Sequence, residues 1–501
     1  MSRRIEKLLI ANRGEIAVRV IRTCRELGIR SVAVYSDADQ ESIHAKLGDE
    51  AIRIGPAESS KSYLNPDAIL EAAHAAGVQA VHPGYGFLSE RASFAEACAE
   101  AGLIFVGPSG SAMRALGDKI SAKTLAVSAG VPIVPGFFDP GASFDQICDA
   151  AARIGYPVML KASAGGGGRG MREVASADRL ESEFVTASAE ARSVFGDGAM
   201  MVEKLIARPR HVEVQVLADH HGNVATLFER ECSIQRRHQK LIEEAPSPFE
   251  ILRWKAMRAA AANVVRAAGY SNAGTVEFIV DPVSGEFYFL EVNARLQVEH
   301  PVTEAITGLD LVAWQIRIAE GEPLDLPEAL LNGERPGICG HAIEVRIIAE
   351  DPSRQFVPSI GKILAWAEPM SSVVRVDTGF GPGSEITPYY DSLLAKLIVH
   401  GQNRAEALRR MEAALMDFHI LGVRTNVEYL LAVIRHPEFA AGKIDTGFLG
   451  REFHEWMPGA PAPEVGSIAS RAGNTARRSG EASRGPLPAS SLADGFRNVG
   501  S

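Results

Sequence analysis

Short apolar runs alternate with helical patterns in the N-terminal part of the chain. The segment Ile16–Leu27 has the periodicity of an amphipathic helix, and Gly28 follows it as a left-handed cap. Four apolar runs predict buried strands: Lys7–Ala11, Ser31–Tyr35, Val78–Val81 and Leu103–Val106. This β-α-β alternation predicts a doubly wound parallel sheet, with any site at the carboxyl ends of its strands.

The pattern changes at about Val131, where strands begin to alternate polar and apolar residues. His211–Leu217 is the clearest example, and its period of two predicts an antiparallel strand with one face in water. Thr275–Val280 and Glu286–Asn293 flank the turn Asp281–Gly285 and predict a hairpin. An antiparallel region therefore follows the parallel one.

Further strand patterns occur after Gly337, at His341–Ile347 and Leu393–Val399. A helix is predicted at Arg404–Leu415, with Asn403 as its N-cap. Beyond Pro458 the chain is rich in alanine, proline, glycine, serine and arginine, so we expect residues 458–501 to be a disordered tail.

Composition and charge exclude several classes of protein. The chain has 501 residues, is 46% hydrophobic and carries a formal net charge of −10, which is typical of a multidomain globular protein and argues against a nucleic-acid partner. No apolar run approaches the ~20 residues that cross a bilayer. The N-terminus lacks a signal-peptide pattern, and five scattered cysteines indicate reduced thiols. A cytoplasmic protein without a membrane partner is predicted.

A glycine-rich segment is the strongest local signal. Gly165–Gly168 leave backbone N–H groups unshielded, so that a polyanion such as triphosphate can approach closely. Lys161 ends an apolar run just before the glycines, and Met171–Val174 predicts a returning strand. A P-loop would instead open a helix, so we interpret the segment as a hairpin flap over phosphates, with a plain flexible turn as the alternative.

A second signal lies between Glu291 and Glu299, where every odd position is polar and the even positions are apolar or small. In an extended chain the odd positions share one face. Glu277 on the preceding strand lies on that same face whenever the two residue numbers of each pair across the hairpin add up to an even number. Carboxylate and amide oxygens from Glu277, Glu291 and Asn293 suit Mg²⁺. Arg295 adds a cation and Glu299 a potential general base. The alternative is a solvated face with salt bridges.

A third signal is the cationic hexad Gln235–Lys240, which follows the strand predicted at Val224–Phe228. In an acidic chain such a cluster would attract phosphate or bicarbonate, although an ordinary polar loop explains it about as well. Weaker candidates are single polar residues, each more often ordinary than a ligand: Lys119, Glu203, Lys204 and His211.

Taken together, these segments resemble the biotin carboxylases, the ATP-grasp components of biotin-dependent carboxylases. The similarity covers about residues 4–455 and does not rest on one motif. The glycine segment, the hexad and the stretch from Glu291 to Glu304 occur in the family's order. The other matching segments are Ile10–Ala17, His82–Glu90, Pro388–Ser392 and Gly422–Asn426.

The resemblance implies an α/β and α+β multidomain fold. A Rossmann-like pre-ATP-grasp domain would occupy residues 1–117. An ATP-grasp domain would occupy 118–335, with a glycine-rich lid at about 132–205, and a C-terminal biotin carboxylase domain would occupy 336–457.

The resemblance also implies an activity. An ATP-dependent ligase of this kind phosphorylates bicarbonate to carboxyphosphate, which breaks down to CO₂ and phosphate; the phosphate deprotonates biotin, and the biotin attacks CO₂. The expected cofactors are ATP and Mg²⁺ or Mn²⁺, two ions per site, with biotin as the substrate. This is the first half-reaction of a biotin-dependent carboxylase such as acetyl-CoA carboxylase.

Site residues carry over position by position. The implied catalytic groups are Lys240, Arg295 and Glu299. Metal would be bound by Glu277, Glu291 and Asn293; bicarbonate by Lys240, Arg295, Gln297 and Val298; and biotin by Tyr85 and Arg346. ATP would be contacted by Lys119, Lys161, Gly167, Gly168, Glu203, Lys204, Leu205, Ile206, His211, Gln235, His238, Glu277 and Glu291.

Larger members of the family continue into a biotinyl domain with a Met-Lys-Met acceptor, whereas the last lysine here is Lys443. We therefore expect a separate biotin carboxyl carrier protein and a separate carboxyltransferase as partners, together with a homodimer implied by the family. The final carboxyl acceptor stays open. The alternatives are another ATP-grasp carboxylate ligase and a nucleotide-binding subunit without catalysis.

Overall fold

The computed structural model describes residues 4–139, 141–163, 170–251, 253–331, 334 and 337–459, without the side chains of residues 119, 120 and 195. The glycines of the predicted flap lie outside this range, as does the predicted disordered tail beyond residue 459. No helix among the described residues combines the length and the apolar character that a membrane crossing requires.

The N-terminal part is built on a parallel five-stranded sheet with the order β3-β2-β1-β4-β5. Its strands are β1 (Lys7–Ile10), β2 (Arg30–Ser36), β3 (Glu50–Gly55), β4 (Ala80–His82) and β5 (Ile104–Phe105). Its helices are α1 (Gly14–Leu27), α2 (Ile43–Leu47), α3 (Pro66–Ala76), α4 (Ala92–Glu100), α5 (Gly110–Gly117) and α6 (Lys119–Ser128). The predicted doubly wound sheet is confirmed.

Both faces of this sheet are buried. Leu8 and Ile10 of β1 pack into one hydrophobic cluster and Leu9 packs into another. Helix α1 ends at Gly28, whose φ of 71° is left-handed, as the sequence predicts. The carboxyl ends of β1 and β4 are joined by Asn12, whose side chain donates to the carbonyls of Pro83 and Tyr85.

An antiparallel four-stranded sheet follows, with the order β6-β9-β7-β8. Its strands are β6 (Gly136–Phe137), β7 (Val158–Ala162), β8 (Met171–Val174) and β9 (Met200–Lys204), and its helices are α7 (Phe144–Ile154) and α8 (Ala177–Phe195). Because β7 pairs with β8 in antiparallel register, Lys161 lies opposite Met171. The hairpin that carries the predicted flap therefore exists, although residues 164–169 are outside the described range.

The largest sheet is antiparallel and has eight strands, in the order β14-β13-β10-β11-β12-β15-β22-β20. These strands are β10 (Arg210–Ala218), β11 (Val224–Arg236), β12 (Gln239–Ala245), β13 (Asn272–Val280), β14 (Phe287–Asn293), β15 (His341–Ile348), β20 (Val374–Thr378) and β22 (Leu393–Gly401). Intervening helices are α9 (Trp254–Ala267), α10 (His300–Thr307), α11 (Leu311–Ala319) and α12 (Glu328–Leu331). The sheet continues through the β12–β15 pair, across the boundary predicted at residues 335 and 336.

The C-terminal part covers the far end of this sheet. Its short strands are β16 (Glu350–Asp351), β17 (Val357–Pro358), β18 (Gly361–Lys362), β19 (Ala365–Ala367), β21 (Glu385–Ile386) and β23 (His419–Leu421). Its helices are α13 (Arg404–Asp417), α14 (Val427–Arg435), α15 (Pro437–Ala440) and α16 (Phe448–Glu452). The predicted cap is present, because Asn403 accepts a hydrogen bond from the Glu406 backbone N–H.

The prediction that the strand at His211–Leu217 has one wet face is wrong, because all nine residues of β10 are buried. Its apolar face, which includes Val212, packs in the same cluster as residues of α9. On its polar face, Glu213 accepts a hydrogen bond from the fully buried Arg230, which also donates to Thr303 of α10. A charged partner and a covering helix replace water on this face.

Helix α1 and the loop after β20 approach so closely that one position excludes any side chain. A Cβ atom built on Gly379 would lie 2.5 Å from the carbonyl carbon of Gly14. A Cβ on Gly381 would instead make an ordinary 3.6 Å contact with Ile43. The contact at Gly379 therefore joins the N-terminal and C-terminal parts directly.

We predict that Gly379→Ala lowers the free energy of unfolding by about 1–3 kcal/mol, since backbone on both sides must move. Gly381→Ala is the matched control and should stay within about 0.5 kcal/mol of the wild type. Urea unfolding of both variants measures the difference. Equal stability of the two variants would contradict the close approach.

Candidate active site

A cavity of about 1670 Å³ lies between the four-stranded sheet, the β11–β12 hairpin and helix α16. The predicted site residues that line it are Lys161, Glu203, Lys204, Leu205, Ile206, His211, Gln235, His238, Lys240, Glu277, Glu291, Asn293, Arg295, Gln297, Val298 and Arg346. Residues far apart in sequence thus share one cavity.

Three carboxylates of the site surround the ammonium group of Lys240. Its Nζ lies 2.6 Å from Glu213, 2.8 Å from Glu277 and 2.6 Å from Glu299. Burial lowers the pKa of the Lys240 ammonium, but the surrounding carboxylates outweigh burial and hold that pKa well above its ordinary value. Lys240 is therefore a permanent cation in the core of the site.

Glu277 has the richest set of partners. Besides Lys240, its carboxylate contacts the His211 Nε2 at 2.9 Å and accepts hydrogen bonds from the side-chain amides of Asn293 and Gln297. Burial raises the Glu277 pKa, but Lys240 and His211 outweigh it and hold the pKa well below its usual range. Burial lowers the His211 pKa, and the Glu277 charge more than reverses this. The Glu277 charge therefore favours the protonated form of His211.

The hairpin register explains why the predicted metal ligands lie together. Glu277 on β13 lies directly opposite Glu291 on β14, and Thr275 lies opposite Asn293. Two carboxylates and an amide oxygen on adjacent strands fit a hard divalent cation such as Mg²⁺. In the described part of the chain, ligand-type atoms also lie within 4.8 Å of one another in His211, Glu213 and Glu277. That group shares Glu277 with the predicted set.

The predicted extension of alternating side chains from Glu291 to Glu299 is wrong beyond Asn293, where β14 ends. A turn follows, and Glu299 takes the N-cap position of α10. Arg295 donates to Gln297 and to the Asn293 side chain, and it lies 2.9 Å from Glu90. The polar side chains still converge, because the turn and not the strand period brings them together.

Glu299 is fully buried between two cations and does not line the cavity itself. Besides Lys240, it lies 3.0 Å from Arg346. Burial raises the Glu299 pKa, but Lys240 and Arg346 outweigh it and keep that pKa well below its usual range. The carboxyl is therefore ionised at neutral pH, as a proton acceptor must be.

On the side of the cavity formed by the four-stranded sheet, Lys123 on α6 and Lys161 on β7 both contact the Glu203 carboxylate. Burial raises the Glu203 pKa, and the two lysines lower it further than burial raises it. Two ammonium groups converging on one carboxylate form a cationic surface suited to a polyphosphate.

Comparisons with known proteins agree along nearly the whole chain. Residues 4–113 match the biotin carboxylase N-terminal domain, residues 118–327 the ATP-binding domain of the carbamoyl-phosphate synthase L chain, and residues 344–451 the biotin carboxylase C-terminal domain. A biotin carboxylase from Halalkalibacterium halodurans is 52% identical over 446 residues, covering 89% of this chain and 97% of that protein.

This chain belongs to the biotin carboxylase family. Family, fold class and the class of ATP-dependent ligase are thus confirmed. A biotin carboxylase of Campylobacter jejuni, solved as a β,γ-ATP complex, superposes with a TM-score of 0.84 at 44% identity, over 90% of this chain and 99% of that one.

Several curated relatives are longer than this chain, which matches only part of their length. The α subunit of methylcrotonoyl-CoA carboxylase from Glycine max is 51% identical over 89% of this chain but only 60% of that subunit. The propionyl-CoA carboxylase α chain from Sus scrofa is also 51% identical, over 91% of this chain and 62% of that one. The chain spans about 60% of the length of these curated relatives.

In this member of the biotin carboxylase family, the cationic hexad is not a single basic patch. It forms the tip of the β11–β12 hairpin, where Arg237 and His238 have positive φ in a two-residue turn. Arg236 turns away to pair with Glu350 at 2.7 Å and to stack on Phe356. Strand β11 also runs to Arg236, well beyond the predicted end at Phe228.

Tyr85, predicted for biotin, does not line the cavity. Its hydroxyl donates to Glu15, and its ring lies 6.0 Å from the Nζ of Lys396. Lys396 in turn donates to the Val298 carbonyl at 2.9 Å, so Tyr85 joins the site through a second residue. The Lys119 side chain and the glycines at 167 and 168 lie outside the described range.

Several residues of the site were missed from sequence. Glu213 shares the parity of His211 on β10, and this signal could have identified it. Lys123, Lys396 and Glu243, which accepts a hydrogen bond from Arg346, lie in ordinary helix or strand patterns that carry no such signal. The ammonium of Lys204 donates to the Gly155 carbonyl at 2.7 Å. The backbone and aliphatic chain of Lys204 are therefore the parts that can contact a ligand.

We predict that Lys240→Met lowers the free energy of unfolding at neutral pH by about 3–5 kcal/mol, because buried carboxylates lose their common cation. The loss should shrink as pH falls below the ordinary value of 4.5. The depressed pKa values of Glu277 and Glu299 stabilise the fold above that value, and this contribution is lost as they protonate.

Urea unfolding as a function of pH measures this effect. Lys362→Met removes an exposed lysine and is the matched control, with an expected change within about 0.5 kcal/mol. A Lys240→Met protein as stable as that control would show that the carboxylates do not depend on Lys240.

Proposed function

We propose that this chain carboxylates biotin with bicarbonate at the expense of ATP, the first half-reaction of a biotin-dependent carboxylase. The observation that carries the proposal is that Lys240 and Arg295 line the same cavity as Lys161 and the Glu277–Glu291 pair, with the buried Glu299 in direct contact with Lys240. A cation pair, a base and hard oxygen ligands are what joining an oxyanion to a phosphoryl group requires.

The nucleotide phosphates would lie against Lys161, His211 and His238, beneath the glycines at 167 and 168 and near Lys119. The base would lie against Glu203, Lys204, Leu205, Ile206 and Gln235. Mg²⁺ or Mn²⁺, two ions per site, would be held by Glu277, Glu291 and Asn293 and would neutralise phosphate charge. The biotin carboxylase domain of 2-oxoglutarate carboxylase from Hydrogenobacter thermophilus, 44% identical with a TM-score of 0.82, was solved with MgADP, ADP and bicarbonate, which supports a site for a magnesium nucleotide and bicarbonate in this chain.

Bicarbonate would bind to Lys240, Arg295, Gln297 and the Val298 backbone. Glu299, ionised in its buried position, would accept the bicarbonate proton as the bicarbonate oxygen attacks the γ-phosphorus and ADP leaves. Carboxyphosphate then breaks down to CO₂ and phosphate, and the phosphate takes the proton from the biotin ureido nitrogen. Exclusion of water from the cavity during the reaction would protect this short-lived intermediate.

Biotin would lie beside Arg346 and Arg295, which would stabilise the negative charge that develops on its ureido oxygen. Tyr85 would approach the ring from the N-terminal part. We infer that biotin is presented by a biotin carboxyl carrier protein, as the family resemblance implies. A carboxyltransferase would complete the reaction.

The relatives bear on the carboxyl acceptor. Their names are those of methylcrotonoyl-CoA and propionyl-CoA carboxylases, so we place such acyl-CoA carboxylases ahead of acetyl-CoA carboxylase. A homodimer is proposed because the Hydrogenobacter thermophilus domain is described as a dimer. The curated relatives with these names are mitochondrial, whereas a cytoplasmic location stays a prediction for this chain.

A second candidate is another ATP-grasp ligase, since residues 118–327 match an ATP-binding domain named for carbamoyl-phosphate synthase. The flanking matches to both other biotin carboxylase domains favour the first proposal. Dependence of ATP hydrolysis on added biotin separates the two activities, and the complete absence of hydrolysis would indicate a non-catalytic subunit.

We predict that Arg295→Ala reduces carboxylation of free biotin by about 10²–10³-fold, since one preorganised charge at the developing oxyanion is lost. ATP binding should be largely unchanged, because Arg295 lies at the bicarbonate end. Incorporation of labelled bicarbonate into biotin and calorimetric nucleotide titration measure the two effects.

Arg409→Ala, an exposed arginine on α13, is the matched control and should behave as the wild type. Undiminished biotin turnover in Arg295→Ala would refute the assignment of this residue. A wild-type chain without biotin-dependent turnover would refute the proposed function.

A further inference from the structure

A row of charged side chains runs across the eight-stranded sheet beside Arg346. Strand register places Glu243 of β12 directly opposite Glu344 of β15, and Arg346 opposite Lys396 of β22. Because Glu344 and Arg346 are two residues apart on one strand, they point to the same face of the sheet. Glu243, Glu344 and Lys396 are fully buried.

Two carboxyl groups in this row lack the partners that burial demands. Neither side-chain oxygen of Glu344 has a hydrogen-bond partner among the described residues, and Oε2 of Glu243 has none either. The other oxygen of Glu243 accepts from the Arg346 Nε at 2.7 Å. Opposed side chains on paired strands have Cβ atoms about 4.5–5.5 Å apart, which puts the two carboxyl groups within reach of each other.

A single proton resolves this arrangement. Two adjacent buried anions with three oxygens lacking donors would be strongly unfavourable, whereas a carboxylic acid that donates to a carboxylate satisfies an oxygen on each residue. Glu243 must remain the anion because it pairs with Arg346, so Glu344 is the member that carries the proton.

The surrounding charges agree with this assignment. Burial raises the pKa of the Glu344 carboxyl well above its ordinary value, Glu243 and Glu299 raise it further, and Lys396 and Arg346 oppose the shift without cancelling it. For Glu243, burial raises the pKa to about 7, with Glu299 acting in the same direction and Arg346 and Lys240 against it. Between them the two groups retain a proton at neutral pH.

We propose that Glu344 is a neutral carboxylic acid whose O–H donates to Glu243, and that this pair positions the Arg346 guanidinium for biotin. The positioning role rests on the proposed function, whereas the shared proton does not. Arg346 is held at Nε by Glu243 and at Nη2 by Glu299. An ionised Glu344 would place a third carboxylate beside Arg346 and neutralise the charge that a developing biotin oxyanion needs.

Infrared difference spectroscopy of the full chain tests the shared proton directly. At neutral pH we expect a protonated-carboxyl C=O band that shifts in D₂O and is missing from Glu344→Gln. Glu385→Gln, which alters an exposed glutamate of β21, is the matched control and should keep the band. A wild-type spectrum indistinguishable from that of Glu344→Gln in this region overturns the proposal.

Steady-state kinetics with free biotin tests the positioning role. Glu344→Leu should raise the KM for biotin by roughly tenfold, the loss expected when one hydrogen bond supporting a charged group is left unmade, and should leave the KM for ATP unchanged. Glu344→Gln keeps a neutral donor and should restore the biotin KM. If Glu344 were purely structural, its loss would change the KM for biotin and the KM for ATP alike, and glutamine at this position would not restore the biotin KM.

Equal effects on both KM values, or no rescue by glutamine, would overturn the positioning role. If Glu344→Leu fails to fold, the glutamine variant and the infrared band still decide the question. A wild-type chain that shows the band but never carboxylates biotin would overturn the proposed function while supporting the shared proton.

Discussion

Buried charges are tolerated only when each has a partner, and the arrangement around Lys240 depends on this constraint. One ammonium neutralises carboxylates from β10, β13 and the start of α10, and Arg230 supplies a second cation to Glu213. The charged residues of the site are therefore held in place by ion pairs with one another. Binding of a metal–nucleotide and an oxyanion would exchange these internal partners for external ones, which lets the same residues stabilise the fold and recognise substrate.

The architecture follows from this need to bring charges together from distant parts of the chain. A continuous eight-stranded sheet carries Glu277 near one edge and Lys396 near the other, with α10 covering the polar face between them. The N-terminal part contributes Glu90 to Arg295 and Glu15 to Lys396. The close approach of Gly14 to Gly379 holds that part against the sheet.

Sequence predicted the parallel sheet and the β13–β14 hairpin because apolar runs, glycine caps and turn residues are local signals. Most of the site residues predicted from the sequence line the cavity; they were found partly from the parity of Glu277 and Glu291 and partly from family resemblance. The prediction that one face of β10 is in water was wrong. Alternation identifies polar positions, but it does not show whether water or a buried arginine is their partner. Lys123 and Glu344 were missed, since only tertiary contacts distinguish them from other helix and strand residues.

The most direct test of the central claim is a crystal structure of this chain with a Mg²⁺–nucleotide and bicarbonate. The account predicts metal on Glu277 and Glu291, with the anion between Lys240 and Arg295 and at least one of the Lys240 ion pairs replaced. Ligands bound elsewhere, with the contacts from Lys240 to Glu213, Glu277 and Glu299 all retained, would contradict it.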